Sequence, residues 1–324
     1  MNLSKLFLAT STVCLLASCS SKQTSLQSKN QKTYAEISVK KGGKWNGKKY
    51  EGGTFKNVES LKVPESHTDH SFYIRYEGPG WESNKVGYRL YLDWRNAIDI
   101  YGKKTDTLVL SQVGQDGFDS YHNMSDWGAD ILKVAKGMGV GSIGRIVNNE
   151  MHHFREVEAT EAKVSNHKDR SEVKVNYTGW KTNNQKTNLE SQLTIFPDER
   201  YTKHTIQSSE LMDGICTGIV KLNNLPVIEK SSENKKWAYI ATYGVQTLFD
   251  DQLGMAVFYE VATAEKPFEG PHDHLIQFRP TKNKITFYFL GAWEKEPNGI
   301  KSKEAFIQYL DENLKKLNDG NTLN

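Results

Sequence analysis

A dozen short runs rich in Val, Ile, Thr, Tyr and Phe, each closed by Gly, Asn, Asp or Pro, set the terms on which this 324-residue chain can fold. They fall at 71–77, 86–93, 107–113, 154–164, 171–179, 188–196, 201–207, 215–222, 237–244, 255–262, 273–279 and 284–290. Runs of that length and composition between turn residues are antiparallel strands. Asn183-Asn184 and the Pro197-Asp198 step supply turn chemistry for hairpins in the middle of the chain. So many strands in one open sheet would curl, which predicts a mostly β protein built as a large antiparallel β-sandwich. Two segments carry helical spacing instead. They are Ser125 to Lys136, through Trp127, Ile131, Leu132 and Ala135, and Ser302 to Leu317, through Phe306, Leu310, Leu314 and Leu317. The second predicts a C-terminal packing helix.

The N-terminus predicts export. Lys5 supplies a positive n-region, Leu6 to Leu16 an apolar stretch, and Leu16-Ala17-Ser18-Cys19 a lipobox with cleavage before Cys19. The expected division is a lipoprotein signal peptide at 1–18, a lipidated flexible tether at 19–33 and one β-sandwich domain at 34–324. Attachment to a membrane is then by acyl chains on Cys19 alone. Ser20 behind that cysteine favours the outer membrane, on either face. Cys216 is the only other cysteine outside the export segment, so no internal disulfide is expected, and its apolar setting reads as a buried small hydrophobe. A formal net charge of +3 makes no case for nucleic acid as a partner.

Between His67 and His122 the chain concentrates side chains suited to sugars and to proton transfer. Arg75, Arg89 and Arg95 are guanidinium forks that match a carboxylate or sulfate, or that pair internally with Glu77, Glu82, Asp93 and Asp99. Alternation places Arg89, Tyr91 and Asp93 on one face of a strand and Tyr88, Leu90 and Leu92 on the other, and likewise Tyr73, Arg75 and Glu77 against Phe72, Ile74 and Tyr76. The expectation is a sheet with one side packed and the other lining a groove. Trp81 reads as a stacking platform for a pyranose ring or as core. Tyr121 and His122 sit together after a Gly-rich stretch, a placement that suits general acid–base catalysis. A divalent metal is the one cofactor considered, and none is assigned. Its weak candidates are His67 and His70 with Asp69 between them, and His272 and His274, which together would complete a zinc site. His152-His153 reads as structural or solvated. Gly137 to Gly144 is glycine-rich but follows a helical pattern rather than a strand, so it reads as close packing or a flexible loop bordering the cleft, not a nucleotide site.

Glu77-Gly78-Pro79-Gly80-Trp81-Glu82-Ser83, Gly87-Tyr88-Arg89-Leu90-Tyr91, Asp99-Ile100-Tyr101-Gly102-Lys103, Tyr121-His122, Asp130-Ile131-Leu132-Lys133-Val134 and Phe289-Leu290-Gly291-Ala292-Trp293 resemble a family of exported Bacteroidota proteins catalogued as a domain of unknown function. The resemblance spans nearly the whole mature chain. It implies the sandwich of galactose mutarotases, and a place in systems that break down uronic-acid polysaccharides such as ulvan, beside lyases and glycoside hydrolases. One branch is associated with oligosaccharide dehydration. This chain has Asn123-Met124-Ser125-Asp126 where divergent relatives carry a longer histidine-bearing stretch, so activity differs between branches.

On that resemblance the expected reaction removes water across carbons four and five of a terminal uronic acid. His122 or Tyr121 is the base, its partner or Glu82 the acid, and Arg89 with Arg75 neutralises the developing enolate. Trp81, Tyr91 and Arg95 are the remaining substrate-binding candidates. A polysaccharide lyase using the same elimination, a non-catalytic glycan-binding lipoprotein and a mutarotase-like isomerase are the alternatives.

Overall fold

The computed structural model describes residues 31–116, 120–265 and 267–324; the expected signal peptide, Cys19 and most of the tether lie outside them. β1 (Thr33–Asn46) turns at Gly47 into β2 (Lys49–Val58), and β3 (Ser60–Lys62) follows. Next come β4 (Gly80–Ser83), β5 (Val86–Leu90), β6 (Ile98–Lys103), β7 (Gly128–Asp130), β8 (Gly144–Val147) and β9 (Glu150–His152). A meander then runs through β10 (Ala159–Asn166), β11 (Ser171–Thr182), β12 (Gln185–Ile195) and β13 (Tyr201–Ser208). The chain closes with β14 (Ile215–Val220), β15 (Ile228–Ser231), β16 (Trp237–Val245), β17 (Gln252–Glu260), β18 (Phe268–Glu269), β19 (Asp273–Gln277), β20 (Ile285–Trp293) and the helix α1 (Lys303–Gly320).

These strands form three antiparallel sheets, ordered β2-β1-β4-β5-β6-β7, β15-β16-β17-β20-β13-β12-β11-β10-β3 and β18-β19-β14-β8-β9. The mostly β sandwich with a C-terminal helix is as the strand rhythm requires. Its main core joins all three sheets: Tyr88, Ile98 and Ile100 share it with Val173, Leu193, Val257 and Phe289 of the nine-stranded sheet and with Ile219 and Ile276. Isolated bridges from Ile98 to Gly139 and from Val140 to Ile219 tie the six- and five-stranded sheets together. Gly139 has φ +75°, and a Cβ there would lie 1.8 Å from the Ile98 carbonyl oxygen, so the glycine run is close backbone packing.

Asn183 and Asn184 take positive φ in the turn between β11 and β12, the backbone that a tight hairpin demands. Ser302 caps α1 by accepting from Ala305 N at 3.1 Å, and Asn321 in the left-handed region ends it. Its apolar stripe, Phe306, Leu310, Leu314 and Leu317, is buried with Tyr239, Phe258 and Tyr288 in a second core. Each of those side chains contributes about 1.5–3 kcal/mol by burial.

Three expected elements differ. The run 71–77 is not a strand: Phe72, Tyr76 and Glu77 have positive φ and Arg75–Glu77 is a 3-10 turn, so its expected alternation of faces does not exist. Residues 107–113 likewise hold only the 3-10 turn Leu110–Gln112. Ser125 to Lys136 is not a helix, because Gly128 and Ala135 have positive φ and β7 pairs with β6 instead. Strand pairing outcompetes a periodicity only three turns long. The hairpin β1–β2 was not foreshadowed, since beyond Val39 it carries Lys and Gly in place of the usual β-formers.

Candidate functional site

Period-2 alternation sorts the six-stranded sheet cleanly. Tyr88, Leu90, Ile98, Ile100 and Ala129 enter the main core, which sends Arg89, Asp99, Tyr101 and Asp130 to the opposite face; the Tyr91 ring borders the core while its hydroxyl meets Arg89 and Asp99. Pairing register then sets Arg89 opposite Asp99 and Tyr101 opposite Asp130. This polar face is not an open groove. Val109, Leu110, Val113 and Tyr121 form a small apolar cluster with Tyr76 and Tyr101, and every residue of β5 and β6 is buried.

Arg89 is the hub of what lies under that cover. Its Nη2 donates to Asp130 Oδ2 at 2.7 Å, Asp99 Oδ2 at 2.9 Å and the Tyr91 hydroxyl at 2.8 Å, while Nη1 donates to the Tyr121 hydroxyl at 3.0 Å. Tyr91 in turn donates to Asp99 Oδ2 at 2.8 Å. Burial, and then the neighbouring Asp99, push the Asp130 carboxyl well above the usual carboxylate range, with Arg89 acting against them. Burial likewise raises the Tyr121 phenol, again opposed by Arg89. Tyr121 therefore stays protonated at neutral pH.

His122 is the member of this network that solvent reaches. It closes the 3-10 turn Ser120–His122, its side chain is 32% exposed, and its Nε2 lies 3.4 Å from Asp130 Oδ2. Its ring packs on Tyr121 with centroids 4.4 Å apart. Gly114, at φ +66°, leaves room for that tyrosine: a Cβ there would come within 3.1 Å of the Tyr121 ring and 3.5 Å of Arg75 Cγ. An imidazole that solvent reaches, seated against a buried carboxyl, is placed to pass a proton to and from a bound molecule.

The other candidates fall elsewhere. Glu82 is fully buried, with one oxygen on Lys103 Nζ at 2.7 Å and both oxygens accepting from the backbone at Val109, one of them also from Leu110. That carboxylate pins the capping segment and has no route to a substrate, which corrects its expected role as an acid. Trp81 is core, stacked on Tyr88 and donating to Thr202 Oγ1 at 2.9 Å, so it is no sugar platform. Tyr91 and Arg89 are sealed and spent on protein partners. Arg75 pairs with buried Glu36, leaving its Nε and Nη1 without an acceptor. Arg95 lies over the Tyr91 ring and pairs with Asp93, Glu77 and Asp69. All three arginines thus make internal ion pairs.

The four histidines do not assemble into a metal site among the described residues. His67 hydrogen-bonds Ser71, His272 is exposed and His274 is buried on β19. The group that does form is Asp69, His70 and Glu77, whose ligand atoms lie within 4.8 Å of one another. Arg95 Nη2 stands 2.9 Å from both Asp69 Oδ1 and Glu77 Oε1, so a cation already occupies that cluster's charge. His153 is structural, bonding the Arg95 and Lys136 carbonyls. Cys216 is buried, and its thiol is pushed up by burial. Sequence reasoning missed Asp130, Glu36 and Tyr101 as site residues; for Asp130 the one available signal was its place in the motif 130–134.

Residues 10–320 match the model of a family described as a domain of unknown function, DUF4861. No curated protein matches the sequence. Among solved structures, a protein described as a kojibiose phosphorylase from the human microbiome is 13% identical with a TM-score of 0.41, over 73% of this chain and 32% of that one. One described as an aldose 1-epimerase from Klebsiella pneumoniae is 6% identical with a TM-score of 0.35, over 75% and 84%. A 4-alpha-glucanotransferase from Thermococcus litoralis is 10% identical with a TM-score of 0.32, over 72% and 39%. The chain spans about a third of the phosphorylase and two fifths of the glucanotransferase. At these scores the likeness bears on neither activity nor substrate.

Proposed function

The chain belongs to the DUF4861 family, and from that premise we propose that it is a carbohydrate-active acid–base enzyme, a dehydratase acting on the uronic-acid end of an oligosaccharide. The observation that carries this reading is His122, half-exposed, with Nε2 3.4 Å from a buried Asp130 that Arg89 holds at 2.7 Å. His122 takes the proton from carbon five, beside the carboxylate. The freed C–H electron pair becomes the double bond between carbons four and five as the C4–O bond breaks. The imidazolium then protonates the departing hydroxyl, so water leaves and neutral imidazole returns. One group serving both steps makes the elimination syn. Asp130, whose Oδ2 lies 3.4 Å from Nε2, orients the imidazole through both steps.

Tyr121, 2% exposed, is a positioning residue: it floors the imidazole and is fixed by Arg89. Arg75, buried and paired with Glu36, is part of the packing behind Tyr121 rather than a substrate contact. The resemblance to a family of which one branch is associated with oligosaccharide dehydration supplies the choice of reaction.

The test is incubation with uronate oligosaccharides, following product masses and absorbance of the conjugated carboxylate. Loss of one water from an intact chain, with new absorbance, is expected. His122→Ala is expected to lower that rate by about 10²–10⁴ while thermal unfolding stays unchanged. Two fragments with the same absorbance would make it a lyase, and a fully active His122→Ala would overturn the mechanism.

A further inference from the structure

The proposed substrate is an acidic chain, yet each of the site's own arginines is already ion-paired. Arg75, Arg89 and Arg95 are each paired with carboxylates, and Glu77, Asp93, Asp99 and Asp130 surround them. Attraction for an anionic glycan must come from another part of the molecule.

The distal half of the β1–β2 hairpin carries that charge. Residues 40–56 hold six lysines, Lys40, Lys41, Lys44, Lys48, Lys49 and Lys56, against one acidic residue, Glu51. None of the six forms a salt bridge, although ten other lysines in the described residues do. Glu51 is engaged by Asn46 Nδ2 at 2.9 Å. All but Lys40 are exposed. Unpaired like charges crowded on one ribbon repel one another, a cost that a bound polyanion would relieve.

The ribbon also carries aromatic rings and touches the site. Trp45, Tyr50 and Tyr73 form a triad with centroids 5.0–5.3 Å apart, each partly exposed. The hairpin is stitched to the segment leading into the site, by Tyr50 N to Ser71 O at 2.7 Å and Lys40 N to Tyr73 O at 2.9 Å. Within four residues of Tyr73 along the chain lie His70, Arg75 and Glu77.

We propose that this hairpin is a binding arm for a polyanionic glycan, with lysines that meet carboxylate or sulfate groups and an aromatic triad that packs on sugar rings. It rests on the acidic-glycan reading of the site but is read by binding rather than turnover. The arm gathers a long chain and presents its end to His122. β2 is the outermost strand of its sheet.

The experiment uses the full chain carrying Cys19→Ser, which removes the acylation acceptor. Binding to polygalacturonate, dextran sulfate, neutral dextran and vesicles of phosphatidylglycerol is measured at two salt concentrations. Polyanion binding that weakens as salt rises, with no binding to neutral dextran, is expected. Lys41→Gln, Lys44→Gln and Lys48→Gln combined should weaken it at least about tenfold, while kcat on a disaccharide stays unchanged. Vesicle binding without polyanion binding would overturn the proposal in favour of a membrane-facing arm. Polyanion binding unaffected by the triple variant would overturn it outright. If turnover fails on every uronate but arm-dependent binding persists, the enzymatic reading fails and the arm stands.

Discussion

The two basic regions of this protein handle positive charge in opposite ways. Under the outer face of the six-stranded sheet, Arg89 is sealed from solvent with two carboxylates and two tyrosine hydroxyls on its fork. On the β1–β2 hairpin, six lysines stand without a single carboxylate partner. A buried guanidinium must be paired, because desolvating a lone charge costs more than any contact returns, and once paired it fixes geometry rather than attracting ligands. Exposed lysines can remain unpaired at little cost, and their field reaches about a Debye length into solution. Positioning and capture are therefore divided between the two regions.

The sharpest break of this contrast is Arg89→Met. It strands Asp99 and Asp130 as buried carboxylates and should destabilise the fold by about 3–5 kcal/mol, read from chemical denaturation. A loss below 1 kcal/mol would mean the network does not hold the sheet face. Asp130→Asn keeps the shape but removes the ionisable carboxyl behind His122. Turnover should fall about a hundredfold and the pH profile of kcat should shift, with stability nearly unchanged, which a merely structural role for Asp130 would not produce.

Asp273 shows what burial does to a carboxyl that no guanidinium meets. It accepts from Met138 N at 2.9 Å, and burial pushes its pKa up to about 7 from 3.8. Between those values the native state keeps a proton that the unfolded chain has released. Stability should therefore fall by roughly 4 kcal/mol as pH rises through that window and level off above it. Denaturation of Asp273→Asn across the same range should lack this decline. Smallest of all, Lys44→Gln on the hairpin should change stability by less than about 0.5 kcal/mol, since it breaks no pair.

Legibility from sequence followed the range of the interactions. Alternation in 86–93 placed Arg89 opposite Tyr88 and Leu90, and α1 emerged from its own apolar stripe. Tyr121 and His122 were also found locally, as adjacent residues in a loop. The partners were not: Glu36 lies 39 residues from Arg75 and Asp130 lies 41 from Arg89, separations at which no periodicity operates. The polar face read as a groove because alternation gives the face but not what covers it.

Spacing within a strand or helix is fixed by backbone geometry, so the sequence by itself determined the β-sandwich class, the hairpin at Asn183-Asn184 and the C-terminal helix. Which carboxylate meets which guanidinium, that Glu82 pins a loop, that Trp81 is core and that the hairpin's lysines stay unpaired were decided only by tertiary structure. Each depends on segments brought together by packing, and packing selects partners by the space and burial they share rather than by their distance along the chain.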